Sequence, residues 1–433
     1  MSTIISSNQC HREDCLPKTV KAQQYRKVYG SVKRKATEDI SETPDKLVTK
    51  KLRATTEKDK LGTKDSVNLK QSVYRERNKD IPHKLPKNMN DLFDQMEDVK
   101  DRPAFMTGSK THNERYIYPF SLLNILFITS ITNLIYLCDA ANEHFLGDGT
   151  YSYCPQLFMQ LYTIHVYRAG YYIPLVHVAL PGQTEEIYDH MWRLLGELCL
   201  TQCGKVLNIK SLLVDYEKAA INSAYRKFPG ITITGCRFHL SQAWFRWIQT
   251  YKGFDYLSHY NDNNSEVGKW LRTFFGLSFL PPSMIEEAFL LLQSLKPSSD
   301  CDAFADYILD NYIGDLTPAR FPPELWAREV TDTRDVRTTN GPEAFHMVYN
   351  SAFFAKHPNI YKVLFALLLS QEKRYLIFND LNEGLTKPQA NPQLNKDQRV
   401  RNEWEKFVKS DRTDEDLRHY LSALGNRYKG KKI

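Results

Sequence analysis

Three acidic side chains stand at positions where a carboxylate could do chemistry. Asp148 lies between two glycines, whose small size lets another chain or a ligand approach the backbone closely. Asp215 ends the apolar run 212–214, and ligands bind at that end of strands joined by crossover helices. Glu343 follows Pro342 in the first turn of a predicted helix. Such carboxylates could hold two Mg²⁺ or Mn²⁺ ions about 4 Å apart, as phosphoryl transfer requires.

Each acid also has an ordinary structural explanation. Asp148 could belong to an Asp-Gly turn, and Asp215 could cap the helix that follows it. Glu343 could simply complement the positive end of a helix dipole. His346, one turn later, is predicted to pack or to form hydrogen bonds rather than to bind a ligand. Because the chain has 51 acidic residues, spacing alone does not select these three.

Cys236 and His239 form a C-x-x-H pair after a predicted strand. A structural zinc site would need two further ligands at a suitable spacing, and none follows, while Cys199 and Cys203 are isolated. Zinc is therefore not expected, although an unrelated zinc protein built on this pair stays an alternative. The next helix has one apolar face predicted to pack in the core: Leu240, Trp244, Trp247, Ile248 and Tyr251.

Positive charge is concentrated at the front of the chain. Residues 1–90 contain 21 Lys and Arg against 11 Asp and Glu, whereas the remainder contains 37 against 40. We expect a flexible arm, disordered or weakly helical, that binds nucleic acid or acts as a nuclear address, or else a merely solvated tail. Its basic clusters are Lys33, Arg34 and Lys35, and Lys50, Lys51 and Arg53.

The remaining composition predicts a folded protein of the cell interior. Eight scattered cysteines in 433 residues indicate a reducing compartment and no disulfide framework. The N-terminus has no secretory pattern, and the apolar stretch 121–138 contains too many Ser, Thr and Asn residues to predict a membrane span. A membrane is therefore not an expected partner.

The pattern of elements predicts an α/β fold. Three strand-like runs follow one another from about residue 144, and then a helix, a strand ending at Asp215, a second helix and a further strand alternate. From 240 to about 380 the pattern is almost wholly helical. We predict an arm (1–90), a core (91–239), a helical insertion (240–335), further core helices (336–385) and a charged helical tail (386–433).

Several stretches resemble the transposase domain of Mutator-like elements (MULE), over roughly residues 115–375. They are the run from "GDGTYSYC" to "DHMWRLL", the block "LLVDYEKAAINSAYRKFPGITITGCRFHLSQAWFRWIQ", and "FLPP", "FPPELW" and "RTTNGPEAFH". The resemblance implies an RNase H-like catalytic core, a mixed sheet flanked by helices, interrupted by an all-helical insertion.

The resemblance also implies a DDE site that binds Mg²⁺ or Mn²⁺. Its acids would be Asp148 in "DGT", Asp215 in "VDYEKA" and Glu343 in "TTNGPE", and the family's C-x-x-H motif would be Cys236 and His239. The family often has two adjacent Asn residues before the third acid, whereas Thr339 precedes the single Asn here.

The implied function is that of a nuclear transposase that cuts DNA at element ends and joins the freed 3′-hydroxyl to target DNA. Its expected partners are these DNAs, with a homodimer as an option. Many such transposases carry an N-terminal zinc module, for which Cys10, His11 and Cys15 are too few. We therefore expect a truncated chain or DNA recognition through the basic arm alone. The alternative function is a catalytically silent, transposon-derived protein that binds DNA or another protein.

Overall fold

The computed structural model describes residues 20–38, 44–54, 61–77, 79, 84–109, 112–142, 144–329, 340–353, 355–387, 391–428 and 430. Contacts divide the chain into two units, Met1–Leu85 with Ser351–Phe354 and Pro86–Asn350 with Ala355–Ile433. Cys10 and Cys15 lie outside the described residues. No helix in the described ranges is both long and apolar enough to span a bilayer.

The described part of the first unit contains three helices, α1 (Val20–Glu38), α2 (Pro44–Arg53) and α3 (Thr63–Arg77). The sequence predicted an arm that is disordered or weakly helical, whereas the described part of 20–77 forms helices with a small shared core. The physical reason is that apolar residues recur at helical spacing and give each helix one apolar face. The buried members of this core are Val28, Val32, Ala36, Leu47, Val48, Leu69 and Val73.

The second unit is built on a mixed sheet of seven strands in the order β3-β4-β7-β6-β5-β8-β9. In this order, neighbouring strands from β3 to β5 are antiparallel to each other. The pairs β5–β8 and β8–β9 are parallel. The predicted α/β class and the three-strand meander are confirmed. The strands, including a separate hairpin of β1 and β2, are β1 (Met106–Ser109), β2 (His112–Arg115), β3 (Ile117–Phe120), β4 (Ile125–Ile128), β5 (His144–Thr150), β6 (Gln160–Arg168), β7 (Tyr171–Leu180), β8 (Ser211–Val214) and β9 (Thr232–Gly235).

Helices flank this sheet, and every described element after β9 is helical, as the sequence predicted. The longer helices are joined by short 3₁₀ turns and one π-helical turn. The remaining helices are α4 (Met89–Val99), α5 (Ile131–Leu137), α6 (Glu185–Cys203), α7 (Lys218–Lys227), α8 (Arg237–Thr250), α9 (Tyr256–Asn261), α10 (Glu266–Phe274), α11 (Ile285–Ser294), α12 (Asp302–Ile308), α13 (Pro323–Trp326), α14 (Asn340–Ser351), α15 (Ile360–Asn382), α16 (Asn391–Lys409) and α17 (Asp414–Tyr428).

The helix α6, which crosses between β7 and β8, has a capping residue at each end. The Thr184 hydroxyl accepts a hydrogen bond from the Ile187 backbone N–H at its start. Gly204 ends the helix at φ +66°, a left-handed conformation that glycine adopts without strain. The face that α6 turns to the sheet buries Met191, Leu194, Leu195 and Leu198.

The apolar face predicted for α8 packs in the core only in part, because the helix ends at Thr250: Tyr251 is 38% exposed, and Trp247 is half-buried. Leu240, Trp244 and Ile248 are at most 1% exposed. The Trp244 ring lies 5.5 to 5.8 Å from the rings of Phe275, Tyr312 and Trp326, so aromatic packing holds α8 against the helical segments that follow it.

The C-terminal helix α17 packs on the helical region that follows β9. Leu421 and Leu424 of α17 are fully buried, and the Tyr420 hydroxyl donates a hydrogen bond to the Phe279 carbonyl at 2.8 Å. On α10, the Arg272 guanidinium donates to the Tyr260 carbonyl at 2.6 Å and to the Asn426 side chain at 3.0 Å. The region expected as a charged helical tail is helical, but α17 contributes to the core.

The two glycines beside Asp148 make room for side chains of the neighbouring strand. A Cβ atom at Gly147 would overlap the Tyr162 ring, and one at Gly149 would overlap the Gln160 amide. Tyr162 and Gln160 lie on β6 and are at most 2% exposed, so neither can move aside freely. The small residues predicted to admit a ligand or another chain therefore admit the side chains of β6.

We predict that Gly147→Ala lowers the free energy of unfolding by about 1–3 kcal/mol, because the added methyl group overpacks the buried Tyr162. The matched control is Gly196→Ala within α6, where the nearest atom to the new Cβ is 4.0 Å away. This control should raise stability by about 0.5–1 kcal/mol through helix propensity. Urea unfolding measures both changes, and equal stabilities of the two variants would contradict the packing argument.

Candidate functional site

Asp148 is a buried carboxylate near the end of β5. It is 5% exposed, and its Oδ1 accepts a hydrogen bond from the Gly149 backbone N–H at 2.9 Å. Its Oδ2 lies 3.1 Å from Nδ1 of His346, on α14. Since an ionised carboxylate can only accept, His346 donates through Nδ1. The predicted hydrogen-bonding role of His346 is thus confirmed, and its partner is the first of the expected acids.

Asp215 follows β8 directly, where the parallel pairing with β5 brings it beside Asp148. Leu146 pairs with Leu213, so two steps further along each chain Asp148 comes opposite Asp215. Residues at matching positions of neighbouring strands point to the same face. Burial and the negative charge of Asp148 raise the pKa of Asp215 to about 6, against the opposing effect of His239. Asp215 does not cap α7, because the cap position is Glu217.

Glu217 is a third carboxylate of this cluster that the sequence analysis missed. Burial and the charge of Asp148 raise its pKa to about 7. The Tyr188 hydroxyl donates to its Oε2, and the Gln183 amide donates to its Oε1 at 3.3 Å. The signal was present in "VDYEKA", because residues two apart in an extended segment point to the same side.

The described acids of this cluster have no lysine or arginine ion-pair partner. Within the part of the chain that the structure describes, Asp148 has an ion-pair contact with His346 alone, and Asp215 and Glu217 have none. Burial disfavours the ionised form of a carboxylate that has no such partner. The pKa values of Asp215 and Glu217 are raised for this reason. The cluster is therefore rich in carboxylate oxygens, and a bound cation would stabilise their negative charge.

Glu343 lies in the first turn of α14, as predicted, but its neighbours are Cys236 and His239. The sulfur, one ring nitrogen and one carboxylate oxygen of these three residues all lie within 4.8 Å of one another. Among the described residues, Asp148 and Asp215 are not members of this group. The structure thus brings the C-x-x-H pair together with the third expected acid, which spacing in the sequence could not show.

His239 links the two clusters electrostatically. Burial opposes the protonation of His239, but its hydrogen bond with Cys236 and the charges of Cys236, Asp148 and Asp215 outweigh burial and raise its pKa to about 9. The Nδ1 atom of His239 is buried and has no hydrogen-bond partner. The imidazole therefore stands near both aspartates while one of its nitrogens is unsatisfied.

A buried hydrogen-bond network supports the side of Asp148 that faces α14. The Thr163 hydroxyl lies 3.1 Å from the Asp148 carbonyl oxygen and 3.2 Å from Nε2 of His346. Nε2 of His165 lies 3.1 Å from the same hydroxyl. The Phe345 ring packs 5.4 Å from the His165 ring. Phe345 and His346 therefore hold the first turns of α14 against β6. The orientation of Asp148 thus depends on how α14 docks.

The basic residues expected to bind DNA lie on α1 and α2 of the first unit. Arg34, Lys35, Lys50 and Arg53 are exposed, whereas Lys33 and Lys51 are half-buried. The Lys33 ammonium lies 3.5 Å from Glu76 in an ion pair.

No family model matches the chain, and a comparison with curated proteins gives no match either.

We predict that Asp215→Asn stabilises the metal-free protein at pH 8. A pKa raised from 3.8 to about 6 means that the ionised form costs the folded state up to about 3 kcal/mol. Wild-type stability should therefore rise as the pH falls from above 6 towards 4, because only the folded state takes up this proton. The variant should lose that part of the pH dependence, measured by urea unfolding in the presence of a chelator.

Asp139→Asn is the matched control. The Asp139 carboxylate lies 2.6 Å from Arg168. Burial raises its pKa, but the hydrogen bond from the Ala141 N–H and the nearby Arg168 outweigh burial and lower the pKa. Removing this charge should therefore destabilise the protein at pH 8. If Asp215→Asn destabilises it to the same extent, the electrostatic account of the site is wrong.

Proposed function

We propose that this chain is a DNA transposase of the Mutator-like type, which cleaves DNA and transfers the freed strand in the nucleus. The observation that carries the proposal is the juxtaposition of Asp148 and Asp215 at the same end of the parallel pair β5 and β8. Five strands, β7-β6-β5-β8-β9, follow the pattern of three antiparallel and two parallel strands. This order supports an RNase H-like core, and the helices after β9 support a helical insertion.

The donor atoms at Asp148 and Asp215 suit Mg²⁺ or Mn²⁺. Hard cations prefer carboxylate oxygens, and these two acids have no lysine or arginine partner among the described residues. A divalent ion bound there would activate the attacking hydroxyl and stabilise the leaving oxygen. His346 holds the Asp148 carboxylate in place through the contact with Oδ2. The buried strands around both acids fix their positions.

Glu343 is proposed as the third acid of the site. It lies on α14, the helix whose next turn contributes His346 to Asp148. His239, which lies beside Glu343, is also coupled electrostatically to Asp148 and Asp215. His239 thus lies near all three acids. Glu217, two residues after Asp215, adds a further carboxylate to the same electronegative region.

DNA is the proposed partner of the basic helices. Exposed Arg34 and Lys35 on α1 and Lys50 and Arg53 on α2 can neutralise phosphates without reading the base sequence. Their attraction for DNA does not require the acids, so these residues also favour a second candidate function. That candidate is a catalytically silent, transposon-derived DNA-binding or interaction protein.

We predict that the purified protein nicks DNA in the presence of Mg²⁺ or Mn²⁺, and that Asp148→Asn or Asp215→Asn lowers the rate about a hundredfold or more. The reason is that each change removes part of a charge stabilisation worth several kcal/mol, at about 1.4 kcal/mol per factor of ten. The measurement is strand nicking of supercoiled DNA with and without a chelator.

Asp139→Asn is again the control, since Asp139 lies in the ion pair with Arg168. Nicking that persists in both site variants would contradict the enzymatic proposal. A wild-type protein that binds DNA but never cleaves it would instead support the silent DNA-binding candidate.

We also predict that replacing the four exposed basic residues by glutamine weakens binding to duplex DNA. The slope of log affinity against log salt should become shallower by about 0.9 for each phosphate that the variant no longer neutralises. The combined variant is Arg34→Gln, Lys35→Gln, Lys50→Gln and Arg53→Gln.

A control variant removes the same formal charge from exposed positions in the second unit. Its four residues are Arg399, Lys406, Lys409 and Arg412. Fluorescence anisotropy at several salt concentrations compares the two variants. An equal loss of affinity in both would show that net charge alone, rather than the helices α1 and α2, attracts DNA.

A further inference from the structure

We infer that Cys236, His239 and Glu343 form a binding site for a zinc ion. The ligand atoms of these residues lie within 4.8 Å of one another. In a tetrahedral zinc site with bonds of about 2.0–2.3 Å, ligand atoms are about 3.3–3.8 Å apart. Small rotations of the side chains would therefore close the group around an ion.

Two of the ligands come from one rigid piece of backbone. Cys236 is the N-cap of α8, and its N–H donates a hydrogen bond to the Val214 carbonyl at 2.7 Å. His239 lies three residues later on α8, and side chains three apart on a helix share a face. The start of α8 therefore presents sulfur and imidazole together, next to the strand end that precedes Asp215.

The chemistry of the three donors selects zinc over magnesium. A thiolate and an imidazole are ligands of zinc and other borderline or soft ions, whereas Mg²⁺ prefers oxygen. The thiolate would also lie at the positive N-terminal end of α8, which stabilises its charge. The oxygen-rich cluster of Asp148, Asp215 and Glu217 is different in kind, so the two positions would take different metals, and the two oxygens of the Glu343 carboxylate would divide between them.

The contact between the cysteine and the histidine also suits a shared metal ion. Cys236 is fully buried, and its side chain forms a hydrogen bond with the His239 ring. A metal ion bound between the sulfur and the ring nitrogen would take the place of the proton that they share.

The third ligand, Glu343, would let the metal ion link two helices that are far apart in the sequence. Glu343 belongs to α14, far from Cys236 along the chain, so a zinc ion would join the start of the helical insertion to the helix that follows it. Three protein ligands leave a fourth position of a tetrahedral ion for water or a substrate oxygen. The described residues contribute no fourth Cys, His, Asp or Glu to the group.

The test uses the full chain, stripped of metal with a chelator and then supplied with Zn²⁺ or with Co²⁺ as a spectroscopic probe. We expect about one Zn²⁺ per chain, retained on dialysis. The Co²⁺ form should show a thiolate-to-cobalt charge-transfer band. Cys236→Ser should abolish this band, and Glu343→Gln should keep it while weakening metal affinity by a factor of ten or more.

Cys301→Ser is the matched control, because Cys301 is also fully buried but lies outside the group. It should retain both zinc and the band. Circular dichroism and urea unfolding identify variants that fail to fold, and Glu343→Gln keeps the test decisive if Cys236→Ser does not fold. A wild-type chain that releases zinc on dialysis, or a band that persists in Cys236→Ser, overturns the inference.

The zinc site and the proposed transposase activity can fail separately. Asp148→Asn removes a carboxylate outside the group and should leave the zinc content at about one per chain. Bound zinc in a protein that does not cleave DNA would support the site and reject the proposed function. Cleavage by a wild-type chain that never binds zinc would do the reverse.

Discussion

The parallel pairing of β5 with β8 is the constraint on which the rest of the site depends. It places Asp148 and Asp215 side by side at one end of a buried sheet, where burial and the charge of Asp148 disfavour the ionised form of Asp215. The surrounding groups offset part of this cost. His346 donates to Asp148, the nearby His239 favours the ionised form of Asp215, and the glycines around Asp148 let β6 pack closely against the strand.

The helix α14 connects the two clusters of the site. Glu343 and His346 are three residues apart on it and therefore lie on one face. The first lies with Cys236 and His239, and the second contacts Asp148. Phe345 between them packs on the imidazole rings of the sheet. A change in the docking of α14 would therefore alter both clusters together.

The helical region after β9 also positions the site by packing at a distance from the acids. Trp244 and its aromatic neighbours hold α8 against the later helical segments, and the residues at the start of α8 are Cys236 and His239. The C-terminal helix α17 completes this packing, with Tyr420 bound to the Phe279 carbonyl. Apolar burial far from the acids thus determines where the C-x-x-H pair lies relative to them.

The sequence by itself determined the local elements and most of the candidate residues. Short runs rich in β-branched and aromatic residues specified β5 to β7, and helical periodicity specified α6 and most of the buried face of α8, because these signals act between residues close in the chain. Asp148, Asp215 and the C-x-x-H pair were also recognisable from their local contexts, and a two-residue spacing could have revealed Glu217.

Only the tertiary structure decided which of these residues meet. Glu343 lies with Cys236 and His239, and His346 lies beside Asp148, through contacts between segments that are far apart in sequence. Periodicity carries no information about such contacts, since they follow from how α14 docks on the sheet. For the same reason the described helices of the basic region share a core that their individually weak apolar faces did not predict.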